Sequence, residues 1–227
     1  MINLSDILSL QHRPNFADID LKTLSELYYQ ELYPHTYEFT LSSGEKILLK
    51  FDLDKFCHLL GVEKSIKHKI HFAKDRKAFR GIRGWNSIVD STITKASIRA
   101  INGDLKKMKD KMLHFYYLPR LLDNGSLVIK YVPNTQSTIK SAYILYDISQ
   151  ADNVFVQIGI QPEKHGQWYF PETFLINRIT ATNPTNKQAE PPSTVIKIMN
   201  RLKYERFKPR KQLHTIPNRF RRKSRLV

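Results

Sequence analysis

His58, in the stretch "KFDLDKFCHLLGVEK" from Lys50 to Lys64, is the first residue whose type and setting suit proton transfer. Leu53, Phe56 and Leu60 recur at three and four residues and define the apolar stripe of a short helix, with Asp52 as N-cap and Gly61 as its end. At about 100° per residue, His58 falls about 200° around from Phe56, so it points away from that stripe. Asp54 precedes it by four residues, where a carboxylate can orient an imidazole and raise its pKa. Two readings remain open from the residues alone: a solvated histidine paired with Asp54, or a group that works on a substrate. His68 and His71 have a spacing of three, but their neighbours Lys67 and Lys69 are cations and no carboxylate or thiolate stands beside them. That set suits a phosphate better than a metal ion. Lys164 and His165 lie in the turn-like "QPEKHGQW", where a phosphate clamp is no better supported than chance.

Several other chemistries lack their parts. "GIRGW" is too short for a phosphate-binding glycine loop and lacks the Lys-Ser/Thr that follows one. No Gly-x-Ser-x-Gly elbow is present. Asp90 with Asp104 and Lys106 imitates the acidic constellation of a metal-dependent nuclease, yet Asp20 and Lys22 make the same tripeptide match and Asp104 sits where a helix cap is expected. Cys57 is the only cysteine, which excludes an internal disulfide and a multi-cysteine zinc site and fits a reducing compartment. No metal and no cofactor is expected. Metal-free phosphodiester chemistry remains, in which RNA supplies its own 2′-hydroxyl nucleophile and histidine, lysine, tyrosine and hydroxyl groups move protons and balance charge.

The charge points to the same class of partner. Among 227 residues, 37 lysines and arginines oppose 21 acidic residues, a formal net charge of +16. Charge of one sign on this scale favours a polyanion bound through counterion release. It concentrates beyond the turn-rich "TATNPTNKQAEPPST", in "RLKYERFKPRKQLHTIPNRFRRKSRLV", where Arg206, Arg210, Lys211, Arg221 and Arg222 are interleaved with Tyr204, Phe207 and Phe220. Aromatic faces beside cations suit stacked bases. These residues, with Lys67, His68, Lys69 and His71, are the expected RNA contacts. The composition change divides the chain into a domain over 1–183 and a linker with basic tail over 184–227. No apolar run reaches the roughly 18 residues of a membrane span and no basic region precedes an apolar leader, so a cytoplasmic protein is expected.

The supporting elements follow from periodicity. "ADIDLKTLSELYYQELY" places Leu21, Leu24, Leu27, Tyr28 and Leu32 on one helical face. "TYEFTLSSGEKILLKF" alternates around a turn and predicts a β-hairpin. "GDLKKMKDKMLHFYYLPRLLDNG" predicts a long helix that Pro119 kinks or restarts. "SLVIKYV", "SAYILYDIS" and "NVFVQIGI" read as an antiparallel sheet, joined by "QWYFPETFLIN", whose Pro171 demands an edge, a bulge or a strand end.

"FCHLLGV", "HFYYLPRLL", "IKSAYILYD" and "YFPETFL", in that order, resemble the phage- and mobile-element-linked branch of the barnase, EndoU, colicin and RelE ribonuclease group. The resemblance implies an α+β fold, with helices packed on one face of a roughly four-stranded antiparallel sheet, and metal-independent RNA cleavage of toxin or defence type. It implies His58 as the principal catalytic residue, with Thr173, Tyr143 and Lys140 around the scissile phosphate. Ala142 and Lys111 stand where the pattern has an acidic residue and an arginine. An acidic inhibitor protein or RNA antidote is the expected partner beside the RNA substrate. A non-catalytic nucleic-acid-binding accessory protein of a phage or mobile element is the alternative, with a peripheral membrane protein behind it.

Overall fold

The structure is a computed structural model that describes residues 2–133, 137–164 and 166–208. Its helices are α1 (Leu4–Ser9), α2 (Leu21–Leu27), α3 (Phe56–Leu60), α4 (Val62–Ile66), α5 (Ala73–Arg76), α6 (Gly81–Val89), α7 (Lys95–Ala100), α8 (Lys106–His114) and α9 (Leu118–Asn124). Its strands are β1 (His35–Leu41), β2 (Lys46–Lys50), β3 (Leu127–Lys130), β4 (Tyr143–Ser149), β5 (Val154–Pro162), β6 (Trp168–Arg178) and β7 (Thr194–Glu205).

Local chemistry accounts for most of these boundaries. The Asp20 carboxylate accepts from the Thr23 amide at 2.7 Å and starts α2, which continues into a π-helical turn over Tyr28–Leu32. The long predicted helix is two helices: α8 tightens into a 3-10 turn at Phe115–Tyr117, and Pro119 sits in the first turn of α9, where its missing N–H costs nothing. The predicted hairpin forms as β1 and β2, pairing Tyr37 with Leu49 and Phe39 with Ile47.

The sheet differs from the expected four-stranded antiparallel layer with helices on one face. Seven strands close into a barrel in the order β1-β2-β6-β5-β4-β3-β7, and β7 returns to pair with β1. The barrel is mixed, because β2 and β6 run parallel where Leu48 meets Trp168 and Leu49 meets Tyr169. The β1–β2 hairpin supplies two staves of the barrel. The strand missing from the expectation is β7, which the charge pattern assigned to a basic tail. Ile196 and Ile198 pack against the core, while the Arg201 guanidinium and the Lys203 ammonium lie 5.6 and 5.4 Å from the ring centres of Phe39 and Tyr37. The Arg201 guanidinium donates to the carbonyls of Asp123 and Gly125, and the Lys203 ammonium meets the Asp123 carboxylate at 3.2 Å. The charged heads of these side chains therefore hold the barrel seam, through ring faces, carbonyls and a carboxylate. Closure removes the unpaired edges that an open sheet would expose.

One core unites the strands and helices: Tyr37, Phe39, Leu49, Leu145, Val156, Ile158 and Phe174 join Leu24, Tyr28, Phe56, Trp85 and Phe115. The Tyr28 ring lies 5.3 Å from Phe56, 5.9 Å from Phe51 and 6.0 Å from Trp85. Truncating a ring such as Phe56 here costs about 3–5 kcal/mol. Its apolar side fixes α3 against β6, and that contact sets where His58 stands. Ile129, Ile144, Tyr146 and Phe155 form a smaller cluster on the other face of β3, β4 and β5.

Candidate active site

Two backbone irregularities build the site. On β6, Pro171 pairs with Ile160 and Thr173 pairs with Gly159, so Glu172 has no partner across the ladder and forms a bulge. A bulge re-aims a side chain and bends its strand, and Pro171, which has no N–H to offer the ladder, is tolerated there. Gly159 is required opposite it: a Cβ would come within 2.8 Å of Thr173 Cγ2 and collide with Ser141 Oγ. Ser141 Oγ donates to Glu172 Oε2 at 3.0 Å and fixes the re-aimed carboxylate. On α3, Gly61 at φ 77° takes the left-handed position and ends the helix one turn after His58. The chain then starts α4, which brings Lys64 and Lys67 back beside the imidazole.

His58 is exposed at the rim of a pocket of about 210 Å³ that Gly61, Glu63, Lys64 and Lys67 also line. Glu63 is neutralised from behind by Arg80 at 3.4 Å and Arg76 at 4.0 Å. Neither Lys64 nor Lys67 forms an ion pair among the described residues. The imidazole lies against the main chain of Glu172. Crowding by surrounding atoms pushes its pKa below the ordinary histidine value, with Lys111 and Lys64 adding to that and the Glu172 carboxylate and carbonyl opposing it. Lys111 reaches in from α8. Its ammonium donates to the Leu59 carbonyl at 2.9 Å, and burial, aided by Lys64, pushes its pKa down to about 8. The site thus holds a histidine biased toward its neutral form beside a lysine that titrates near physiological pH, an arrangement suited to proton transfer at a phosphodiester.

The carboxylate acting on His58 is that of Glu172, not Asp54. Asp54 lies in a 3-10 turn, Leu53–Lys55, that precedes α3, and it pairs with Lys55 at 3.5 Å. Helical i, i+4 geometry does not extend back to it.

The other expected residues fall in three places. Lys67 lines the His58 pocket, and His68, Lys69 and His71 are exposed on the loop that follows α4. Thr173 is buried beside Gly159, adjacent in the chain to Glu172. Lys140 is exposed next to Ser141, its carbonyl accepting from Gln161 Nε2. Tyr143 is separate: its ring meets Tyr169 edge-on at 5.7 Å, and burial together with Glu45 pushes its hydroxyl up to about 12. Arg206 is tied down at the surface, where it donates to the carbonyls of Tyr33 and Phe51 and lies over the Tyr33 ring at 5.4 Å. Arg210, Lys211, Arg221, Arg222, Phe220 and His165 lie outside the described residues.

Lys64, Lys111, Ser141 and Glu172 were not singled out from the sequence as site residues. Lys111 and Glu172 had a signal, one as a cation at the arginine position of the pattern and the other inside "PETF" next to a strand proline. Nothing local marks Ser141. Asp90 accepts from the Thr92 amide at 3.0 Å and Asp104 from the Lys106 amide at 3.0 Å, so both carboxylates serve turns and caps. Among the described residues no group of three or more His, Cys, Asp or Glu could hold a metal ion.

Residues 22–210 match the family described as phage-Barnase-EndoU-ColicinE5/D-RelE like nuclease4. The chain belongs to that nuclease family. The match runs from α2 past the end of β7, so every strand of the barrel and every residue gathered around His58 falls inside it. It is the group that "FCHLLG" and "PETF" resemble, and it identifies the protein as phage-related and its substrate as nucleic acid. No curated protein and no solved structure matches the chain. Among the described residues no helix is long and apolar enough to cross a membrane.

Proposed function

We propose that this member of the nuclease family is a metal-independent endoribonuclease of toxin or defence type. The observation that carries the reading is that His58, Lys64 and Lys67 line one open pocket while Lys111 and Glu172 act on the imidazole from beside it. His58, biased toward neutrality, takes the proton from a ribose 2′-hydroxyl. The 2′-oxygen attacks the adjacent phosphorus, the bond to the 5′-oxygen breaks, and the products are a 2′,3′-cyclic phosphate and a free 5′-hydroxyl. Lys111 has three ammonium hydrogens and spends one on Leu59, leaving one to bind a phosphoryl oxygen and one to transfer as a proton to the departing 5′-oxygen, which completes the 5′-hydroxyl. Glu172, braced by Ser141, holds the imidazole by its main chain and tunes both neighbouring groups. Thr173 steadies the bulge, and Lys140 stands beside it as a cation for the flanking phosphate. Lys67 and Lys69 extend the cationic rim along the strand, with His68 and His71 beside them as hydrogen-bonding groups.

DNA lacks the attacking hydroxyl, so this chemistry is confined to RNA. An acidic inhibitor protein or RNA antidote would silence the enzyme by covering the same cationic rim. The test is purified protein with total RNA in excess EDTA, beside His58→Ala, with end-group analysis of the fragments. Cyclic phosphate ends from the wild type and loss of cleavage in the variant are expected. Cleavage that requires added magnesium, or that survives in His58→Ala, rules the mechanism out; tight RNA binding with no cleavage favours a non-catalytic accessory protein.

A further inference from the structure

The first residues of β6 carry a feature that the cleavage chemistry does not use. Tyr169 turns toward the core, where it meets Tyr143. Side chains alternate along a strand, so Trp168 and Phe170 turn to the opposite face. Both are partly exposed, and both already hold a cation: Lys50 lies 5.6 Å from the Trp168 ring centre and Lys55 lies 4.7 Å from that of Phe170. Lys55 precedes His58 by one helical turn, and Phe170 precedes Glu172 by two residues. The two rings therefore lead along β6 to the imidazole.

We propose that Phe170 and Trp168 form a stacking platform that selects unpaired, extended RNA for the His58 site. This rests on the cleavage reading for its location but not for its test. Residues two apart on a strand are separated by about 6.6 Å along it. Stacked bases in a duplex rise about 3.4 Å per step. Two consecutive bases can each lie on one of these rings only if the strand is unstacked and drawn out. Every base has an apolar face, so such a platform is tolerant of sequence. Base stacking is a stronger contact than an exposed cation–π pair, so an arriving base displaces the lysine from the ring. Lys50 keeps its ion pair with Glu163 at 2.6 Å and Lys55 its longer one with Asp54 at 3.5 Å, so of the two Lys55 is the readier to turn to a phosphate beside that base.

Trp168 supplies a direct readout, because the other tryptophan, Trp85, is fully buried. Binding of a short single-stranded 2′-O-methyl oligonucleotide, which cannot be cleaved through its 2′-oxygen, should quench the fluorescence of Trp168, and Trp168→Phe should abolish the quench while the oligonucleotide still binds. Phe170→Ala should weaken that binding about tenfold and Phe170→Tyr should restore it; a duplex of the same sequence should leave the fluorescence unchanged. Equal quenching by duplex and single strand, or unchanged affinity in Phe170→Ala, overturns the platform. These measurements involve no cleavage: quenching by an inactive protein upholds the platform and condemns only the catalytic reading, whereas RNA cleavage indifferent to Phe170 does the reverse.

Discussion

His58 and His114 stand at two ends of the same structural principle. Desolvation by neighbouring atoms lowers the pKa of both rings, but one ring keeps an exposed edge and the other is closed in. His58 sits at a pocket mouth with cations around it and space for a phosphate. His114, at the end of α8, is only 1% exposed. Its Nδ1 lies 2.8 Å from the Asp110 carbonyl, which can only accept, so Nδ1 carries the proton and Nε2 faces the Asp152 carboxylate at 3.8 Å without a hydrogen bond. Asp152 in turn accepts from the Arg13 amide, from Tyr116 at 2.8 Å and from Ser149 at 3.1 Å. That cluster fastens the N-terminal segment to α8 and the end of β4. An imidazole whose polar edge stays open can exchange a proton with a bound molecule, whereas one closed in on every side can only fasten its neighbours.

The strongest way to break this contrast is to remove each ring's working partner and read activity and stability separately. His58→Ala should lower RNA cleavage by about 10²- to 10⁴-fold, with a thermal unfolding curve that overlays the wild type. Lys111→Met should lower kcat by about 10²- to 10³-fold without loss of stability, and the fall in rate above about pH 8 should vanish with it. Asp152→Ala, in the closed cluster, should do the opposite. It leaves two hydroxyls and an amide unpaired and should cost about 1–3 kcal/mol in denaturant unfolding, with kcat per folded molecule unchanged. Stability should also decline with acid there. Both His114 and Asp152 have pKa values lowered by folding, so the unfolded chain binds more protons, and stability present above pH 6.5 is lost progressively as pH falls.

Glu172→Gln gives the smallest and most diagnostic change. Glu172 raises the pKa of both His58 and Lys111, so its removal lets both fall. The rising and falling limbs of the pH–rate profile should move together toward lower pH. Movement of one limb alone would mean that the bulge carboxylate does not act on both groups.

Sequence patterns reached most local features of the fold and a smaller part of the site. The β1–β2 hairpin, the restart at Pro119 and the disturbed strand around Pro171 were each written in a few adjacent residues. The outward position of His58 was legible for the same reason, since helical angle depends only on spacing. Its carboxylate partner was misassigned to Asp54 because a spacing of four matters only where the helix has begun. β7 was misread because Arg201 and Lys203 look solvated until the rings of Phe39 and Tyr37 and the acid at Asp123 are placed beside them.

The chain by itself settled the periods, the caps, the single histidine on the outer side of α3 and the motif pair that leads to the nuclease family. Tertiary structure alone decided that seven strands close on themselves and that Lys111 and Glu172, remote from His58 in the chain, flank its ring. The reason is physical: side-chain direction follows from covalent geometry over a few residues, whereas desolvation and charge proximity, which set proton affinity, depend on which distant segments the core brings together.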